Sequence, residues 1–124
     1  MYAFIATAMI WVAAQFGHDG ALPAPIVQWA SEAQMIRVAG ATDPAARDWI
    51  REHGLRLGGL YIPDSDTIYL LEGLDLDDPR HRSVLVHELV HYVQDQIGIA
   101  GTPQQLEDQA YALQDRWLAE QGGR

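Results

Sequence analysis

The sequence predicts an α+β fold: a small antiparallel or mixed sheet, a central helix carrying His87-Glu88-Leu89-Val90-His91, a following helix bearing Glu107, and an N-terminal apolar helix. Three observations predict it. Two runs rich in β-branched and aromatic residues, Gly59-Leu60-Tyr61-Ile62 and Thr67-Ile68-Tyr69-Leu70-Leu71, flank Pro63-Asp64-Ser65-Asp66, which reads as a hairpin with a four-residue turn. Between Asp78 and Gly98, the residues Val84, Leu85, Val86, Leu89, Val90 and Val93 cover most of a helix circumference, the pattern of a helix in the interior. Finally, 124 residues with 48% apolar content supply one core of modest size, so residues 1–124 read as a single domain.

The elements follow in order. Tyr2 to Phe16 is apolar except for Thr7 and Gln15, and it admits three readings: a signal h-region, a short membrane anchor, or a helix packed on the core. The packed helix is favoured. A signal peptide carries Lys or Arg before its apolar run, and a membrane span needs about 20 apolar residues. Membrane association through residues 1–16 is therefore not favoured, and a cytoplasmic location is preferred over export. After the turn-rich Gly17-His18-Asp19-Gly20, Pro25 to Trp29 alternates as a short strand. Ser31 is the N-cap of a helix from Glu32 to about Val38, ended by Gly40. Asp43-Pro44 starts a short helix over 45–53, closed by Gly54. Past the hairpin, Asp78 caps the motif helix with Pro79 at its first position, and Gly98 closes it. Thr102-Pro103-Gln104-Gln105 is a capping box that opens the last helix, which runs to about Glu120.

Composition removes several function classes. Seventeen acidic against eight basic residues give a net charge of −9, which repels phosphate backbones, so no nucleic acid is expected as partner. There is no cysteine, so disulfide frameworks and thiolate metal sites are excluded, and any metal is held by His, Asp or Glu. Gly58-Gly59 lacks the Lys-Ser/Thr of a phosphate loop, and the acids Asp75, Asp77 and Asp78 lack the twelve-residue calcium pattern. Ser83 stands on a helix without the strained turn that activates a serine nucleophile and is read as packing.

The residues that carry chemistry are in the motif helix. Side chains four apart on a helix lie about 6 Å from each other, so His87 and His91 present two ring nitrogens to one ion. Glu88 sits one step round, outside the coordination sphere but within reach of a metal-bound water, where a general base belongs. A hydrolytic zinc site has three protein ligands and an open position, so a third donor is needed. On the last helix Leu106, Ala110, Leu113 and Trp117 define the buried stripe; Glu107 lies at its edge, whereas Asp108 and Asp115 point away. The connection from Gly98 to Thr102 folds the helices back on each other. Glu107 then lies about 6 Å past the turn, against about 25 Å for Glu120, which makes Glu107 the expected ligand.

His87-Glu88-Leu89-Val90-His91 followed by Glu107, with Ala110 three residues later, resembles the gluzincin branch of zinc metallopeptidases, in particular its minimal single-domain bacterial members. The resemblance covers roughly residues 59 to 121. It implies a minimal zincin-like fold, zinc as cofactor, a peptide or protein as substrate, and a sheet edge beside the cleft. Larger gluzincins carry an Asp four residues after the ligand Glu to orient a histidine; here Tyr111 stands there, and Asp95 is the candidate in its place. No oxyanion-stabilising residue is singled out among Tyr69, Tyr92, Tyr111, His53 and His81. The expected chemistry is peptide-bond hydrolysis, with His87, His91 and Glu107 on zinc and Glu88 as general base. The alternative is a non-catalytic zincin-fold binding or regulatory module, to which a partner adds a strand along the edge Thr67 to Leu71. A third reading is a membrane-associated interaction domain built round the first helix.

Overall fold

The structure is a computed structural model that describes residues 1–42, 45 and 58–122. Its elements in chain order are α1 (Tyr2–Gln15), β1 (Ile26–Ala30), α2 (Glu32–Thr42), β2 (Gly59–Ile62), a 3-10 turn (Pro63–Ser65), β3 (Thr67–Leu71), α3 (Pro79–Ile97) and α4 (Pro103–Gly122). The chain is thus α+β, with four helices and a three-stranded mixed sheet among the described residues. The short helix expected over 45–53, apart from Ala45, falls outside them, as does His53.

Strand order is β1-β3-β2. β2 and β3 form the expected hairpin, antiparallel with Gly59 opposite Leu70 and Ile62 opposite Thr67. Its turn closes through Asp66 in the left-handed region at φ 49°, its N–H bonded to the carbonyl of Pro63. β1 lies parallel to β3 on the other side, Ile26 opposite Thr67 and Ala30 opposite Leu71. Two expectations change here. Thr67 to Leu71 is the central strand, hydrogen-bonded on both sides, so it offers no edge for strand addition. Among the described residues the free edge nearest the motif helix is that of β2. In addition, α2 continues past Val38 and through Gly40 to Thr42. A helical Gly costs about 1 kcal/mol relative to Ala. That cost is offset because the extra turn keeps Ala39 buried, in a helix that touches all three strands.

Local chemistry sets the helix ends. Asp78 accepts from the N–H of Arg80 with Pro79 in the first turn, and Gly98 at φ 73° returns its N–H to the carbonyl of Gln94. Thr102 and Gln105 exchange side-chain to backbone bonds at 2.9 and 3.1 Å, a complete capping box. Ser31 and Gln34 form a second one. A fixed start to α4 matters because the phase of that helix decides which acid faces α3.

α3 is the centre of the molecule. Leu85, Val86, Leu89, Val90 and Val93 are fully buried, joined by Ile68 and Leu70 of β3, Ile5, Met9 and Val12 of α1, and Ala110 and Trp117 of α4. Phe4 meets Trp117 edge-to-face at 5.8 Å, and the Arg82 guanidinium lies over the Phe4 ring at 4.9 Å. α1 therefore packs on the core with one face, while Tyr2 and Ile10 on its other face are exposed. No helix among the described residues is long and apolar enough to cross a membrane.

Candidate metal centre

α3 and α4 are antiparallel across a short connection, and their contact is where the polar residues of the core meet. His87, His91 and Glu107 each bring one ligand atom into a group whose atoms all lie within 4.8 Å of one another. Oε1 of Glu107 is 2.6 Å from Nε2 of His87 and 3.3 Å from Nε2 of His91. Donors at about 2.0–2.1 Å round a tetrahedral zinc stand roughly 3.3 Å apart, so these three need only small adjustments to share an ion. Exposure rises round the triad, from 1% for His87 to 20% for His91 and 39% for Glu107. The group is therefore rooted in the core on one side and open to solvent on the other.

The partners of the two rings fix which nitrogen is available. Ser83 donates its hydroxyl to the carbonyl of Arg80 at 2.6 Å, so toward Gln114 it offers a lone pair, and the Gln114 amide donates to it at 3.1 Å. The carboxamide oxygen of Gln114 is thereby turned to Nδ1 of His87 at 2.8 Å, and Nδ1 carries the hydrogen. A second set does the same for His91. Gln94 donates both amide hydrogens, to the carbonyl of Leu106 at 3.0 Å and to Oε1 of Gln109 at 2.9 Å, and so presents its oxygen to Nδ1 of His91 at 2.9 Å. Both rings are thus set to direct Nε2 at Glu107, the arrangement a metal-binding histidine requires. Nitrogen, nitrogen and carboxylate oxygen is a donor set that suits first-row divalent ions such as zinc or iron.

Sequence reasoning missed these partners. Ser83 is more than packing, because it orients Gln114. Asp95, the candidate for orienting a histidine, instead accepts from the hydroxyl of Tyr61 at 2.7 Å, and the orienting groups are Gln94 and Gln114. The signals were present: Gln94 is three residues after His91, and Gln114 is two turns after Glu107. Glutamines at such spacings are common on helix surfaces, and only the pairing of α3 with α4 singles these out. Tyr111 lies against His87, ring centroids 4.6 Å apart, where its ring supports the imidazole by packing.

Glu88 is 4% exposed and sits between α3 and β2. A Cβ added at Gly59 would lie 2.9 Å from Cγ of Glu88, so only glycine lets the strand pass this close to the acid. Burial pushes the Glu88 carboxyl up. The charges of His87 and His91 and a hydrogen bond from the backbone N–H of Tyr61 oppose that shift without cancelling it. Glu107 moves the other way: hydrogen bonds from His87 and then His91 hold it at about 2, despite partial burial. For His91 burial acts downward, but the bond to Glu107 and the charges of Glu88 and Glu107 outweigh it and the ring is raised. One carboxyl is thus held ionised among the imidazoles while its neighbour is biased toward taking a proton.

An α+β domain with a His-His-acid group on two antiparallel helices and a buried acid beside it defines a candidate metal-dependent protein. The whole chain, residues 1–124, matches the family described as Domain of unknown function (DUF6647), and it belongs to that family. Neither the curated proteins nor the solved structures give a match.

Proposed function

We propose that this chain is a zinc-dependent peptidase of minimal gluzincin type, in which water attacks a peptide carbonyl with Glu88 as general base. One observation carries the reading: His87, His91 and Glu107 converge with both Nε2 atoms directed inward, next to a buried carboxyl whose proton affinity is raised. Zinc held there would supply Lewis acidity, acidifying a water and polarising the carbonyl. Glu88 takes the proton as the water oxygen bonds to the carbonyl carbon. It returns that proton to the nitrogen as the C–N bond breaks, so one residue acts as base and then as acid. Its raised proton affinity suits both halves of that exchange.

Among the described residues no strand pairs with the outer edge of β2, which would be the place for the substrate backbone. Leu71 donates to the carbonyl of Gly58 at 2.7 Å, so by the alternation of an antiparallel ladder the backbone groups of Gly59 and Tyr61 point away from β3, the N–H of Tyr61 being already bonded to Glu88. An extended peptide alongside them lies next to Glu88. A non-catalytic binding module would have no use for an acid buried at that point, and the presence of Glu88 favours the enzyme.

Elemental analysis of the purified protein together with turnover of a peptide mixture tests the reading. The parent is expected to carry one zinc per chain, His91→Ala and Glu107→Ala to lose it, and Glu88→Gln to keep it while hydrolysis falls roughly 10²–10⁴-fold. No metal in the parent, or undiminished hydrolysis by Glu88→Gln, would defeat it.

A further inference from the structure

A recess of about 240 Å³ opens beside the triad, lined by Tyr61, Pro63, His91, Asp95, Ile99 and Leu106. It is continuous with the candidate centre because His91 belongs to both: Nε2 faces Glu107 while the ring forms part of the recess wall. Asp95 stands one helical turn beyond His91, about 6 Å along the axis. Pro63, Ile99, Leu106 and the ring of Tyr61 give the recess apolar wall, with Gln94, His91 and Asp95 as its polar lining.

We infer that this recess receives a substrate side chain and that Asp95 selects a lysine or arginine adjacent to the cleaved bond. The inference rests on the hydrolase reading above. A lysine side chain reaches about 6 Å from Cα to Nζ over five bonds, a length comparable to the helical rise of about 6 Å from His91 to Asp95. Its methylenes match the apolar walls and its ammonium meets the acid, the division of labour natural to a long cationic side chain. Asp95 accepts one hydrogen bond, from Tyr61, and pairs with no cation among the described residues. Tyr61 cannot neutralise it: burial, and then the bond to and charge of Asp95, push that hydroxyl far above its usual range, so it stays a neutral donor. A net charge of −9 adds a long-range attraction for cationic chains and repels acidic ones.

Alanine-based peptides carrying Lys, Arg, norleucine or Glu at each position in turn provide the test. Binding is measured by calorimetry to the zinc-loaded Glu88→Gln protein, and cleavage with the parent. The expected result is about tenfold tighter binding of the Lys or Arg peptide than of its norleucine counterpart at one position, the scale of one charge-assisted hydrogen bond. Adding Asp95→Asn should bring that ratio within about threefold, and adding Asp95→Lys should reverse it in favour of the Glu peptide. Equal binding of the Lys and norleucine peptides, no binding of either, or a preference that survives Asp95→Asn would overturn the inference. Cation-selective binding that depends on Asp95, with no cleavage of any peptide by the parent, would uphold the pocket and sink the hydrolase reading alone.

Discussion

Two helix contacts in this molecule are built on opposite principles. α1 meets α3 and α4 through Ile5, Met9, Val12, Phe4 and Trp117, with hydrocarbon and ring edges throughout its buried part. α4 meets α3 through apolar residues such as Ala110 and Trp117 but also through His87, His91, Gln94, Glu107 and Gln114, which are joined by directed hydrogen bonds. Apolar contacts stabilise in proportion to area and tolerate small shifts, whereas a buried polar network stabilises little net and demands one arrangement. The first contact holds the fold together. The second uses that stability to keep those five polar side chains in one arrangement, the one the proposed metal site would require.

Substitutions on the two sides should therefore separate stability from metal affinity. The largest effect is expected at Ile5→Ala, where loss of a buried side chain costs about 2–5 kcal/mol in denaturant unfolding of the metal-free protein. The zinc affinity of its folded form should stay at the parent's value; a loss comparable to that of a ligand variant would show that the two contacts are not separate. Next comes Gln114→Leu, which leaves Nδ1 of His87 without its acceptor and should weaken zinc binding roughly 10–100-fold. Gln114→Glu keeps an acceptor at that point and should restore most of the affinity, an outcome that packing alone would not produce.

The most graded effect is that of pH, smallest per unit step. Glu107 is depressed to about 2, so its contribution to the metal-free fold is present above the ordinary carboxylate value of about 4.3 and lost as pH falls toward 2. His91 is raised, so its contribution is full below about 6.5 and lost as pH climbs through the raised value. Within the polar contact the metal-free protein is most stable in mildly acidic solution. Zinc affinity runs the other way, because the ion must displace the proton on His91, and should rise about tenfold per pH unit below that raised value. Calorimetric titrations between pH 5.5 and 8 would check this, and an affinity independent of pH would contradict it.

The same contrast explains what the sequence disclosed. Helix ends are local, so Asp78, Gly98 and the Thr102–Gln105 box were readable from adjacent residues. The hairpin was too, since turn chemistry and two β-rich runs suffice. The convergence of Glu107 on the histidines followed from a short connection and a helical phase. Less accessible were facts that join distant segments. That β1 pairs with β3 and makes it central depends on a contact forty residues away in sequence, with no local signature. The partners of the imidazoles were hidden for the same reason, and Asp95 looked suitable only while Tyr61 could not be placed beside it.

Ser83 anchors one end of its hydrogen-bonded chain on the main-chain carbonyl of Arg80, an atom that can only accept. The direction of every proton from there to His87 is settled before any ligand arrives, and Gln94 settles the other ring independently. A divalent ion binding there, as proposed, would need no ring flip and no search among amide orientations; it would take the place of the protons that the two Nε2 atoms share with Glu107.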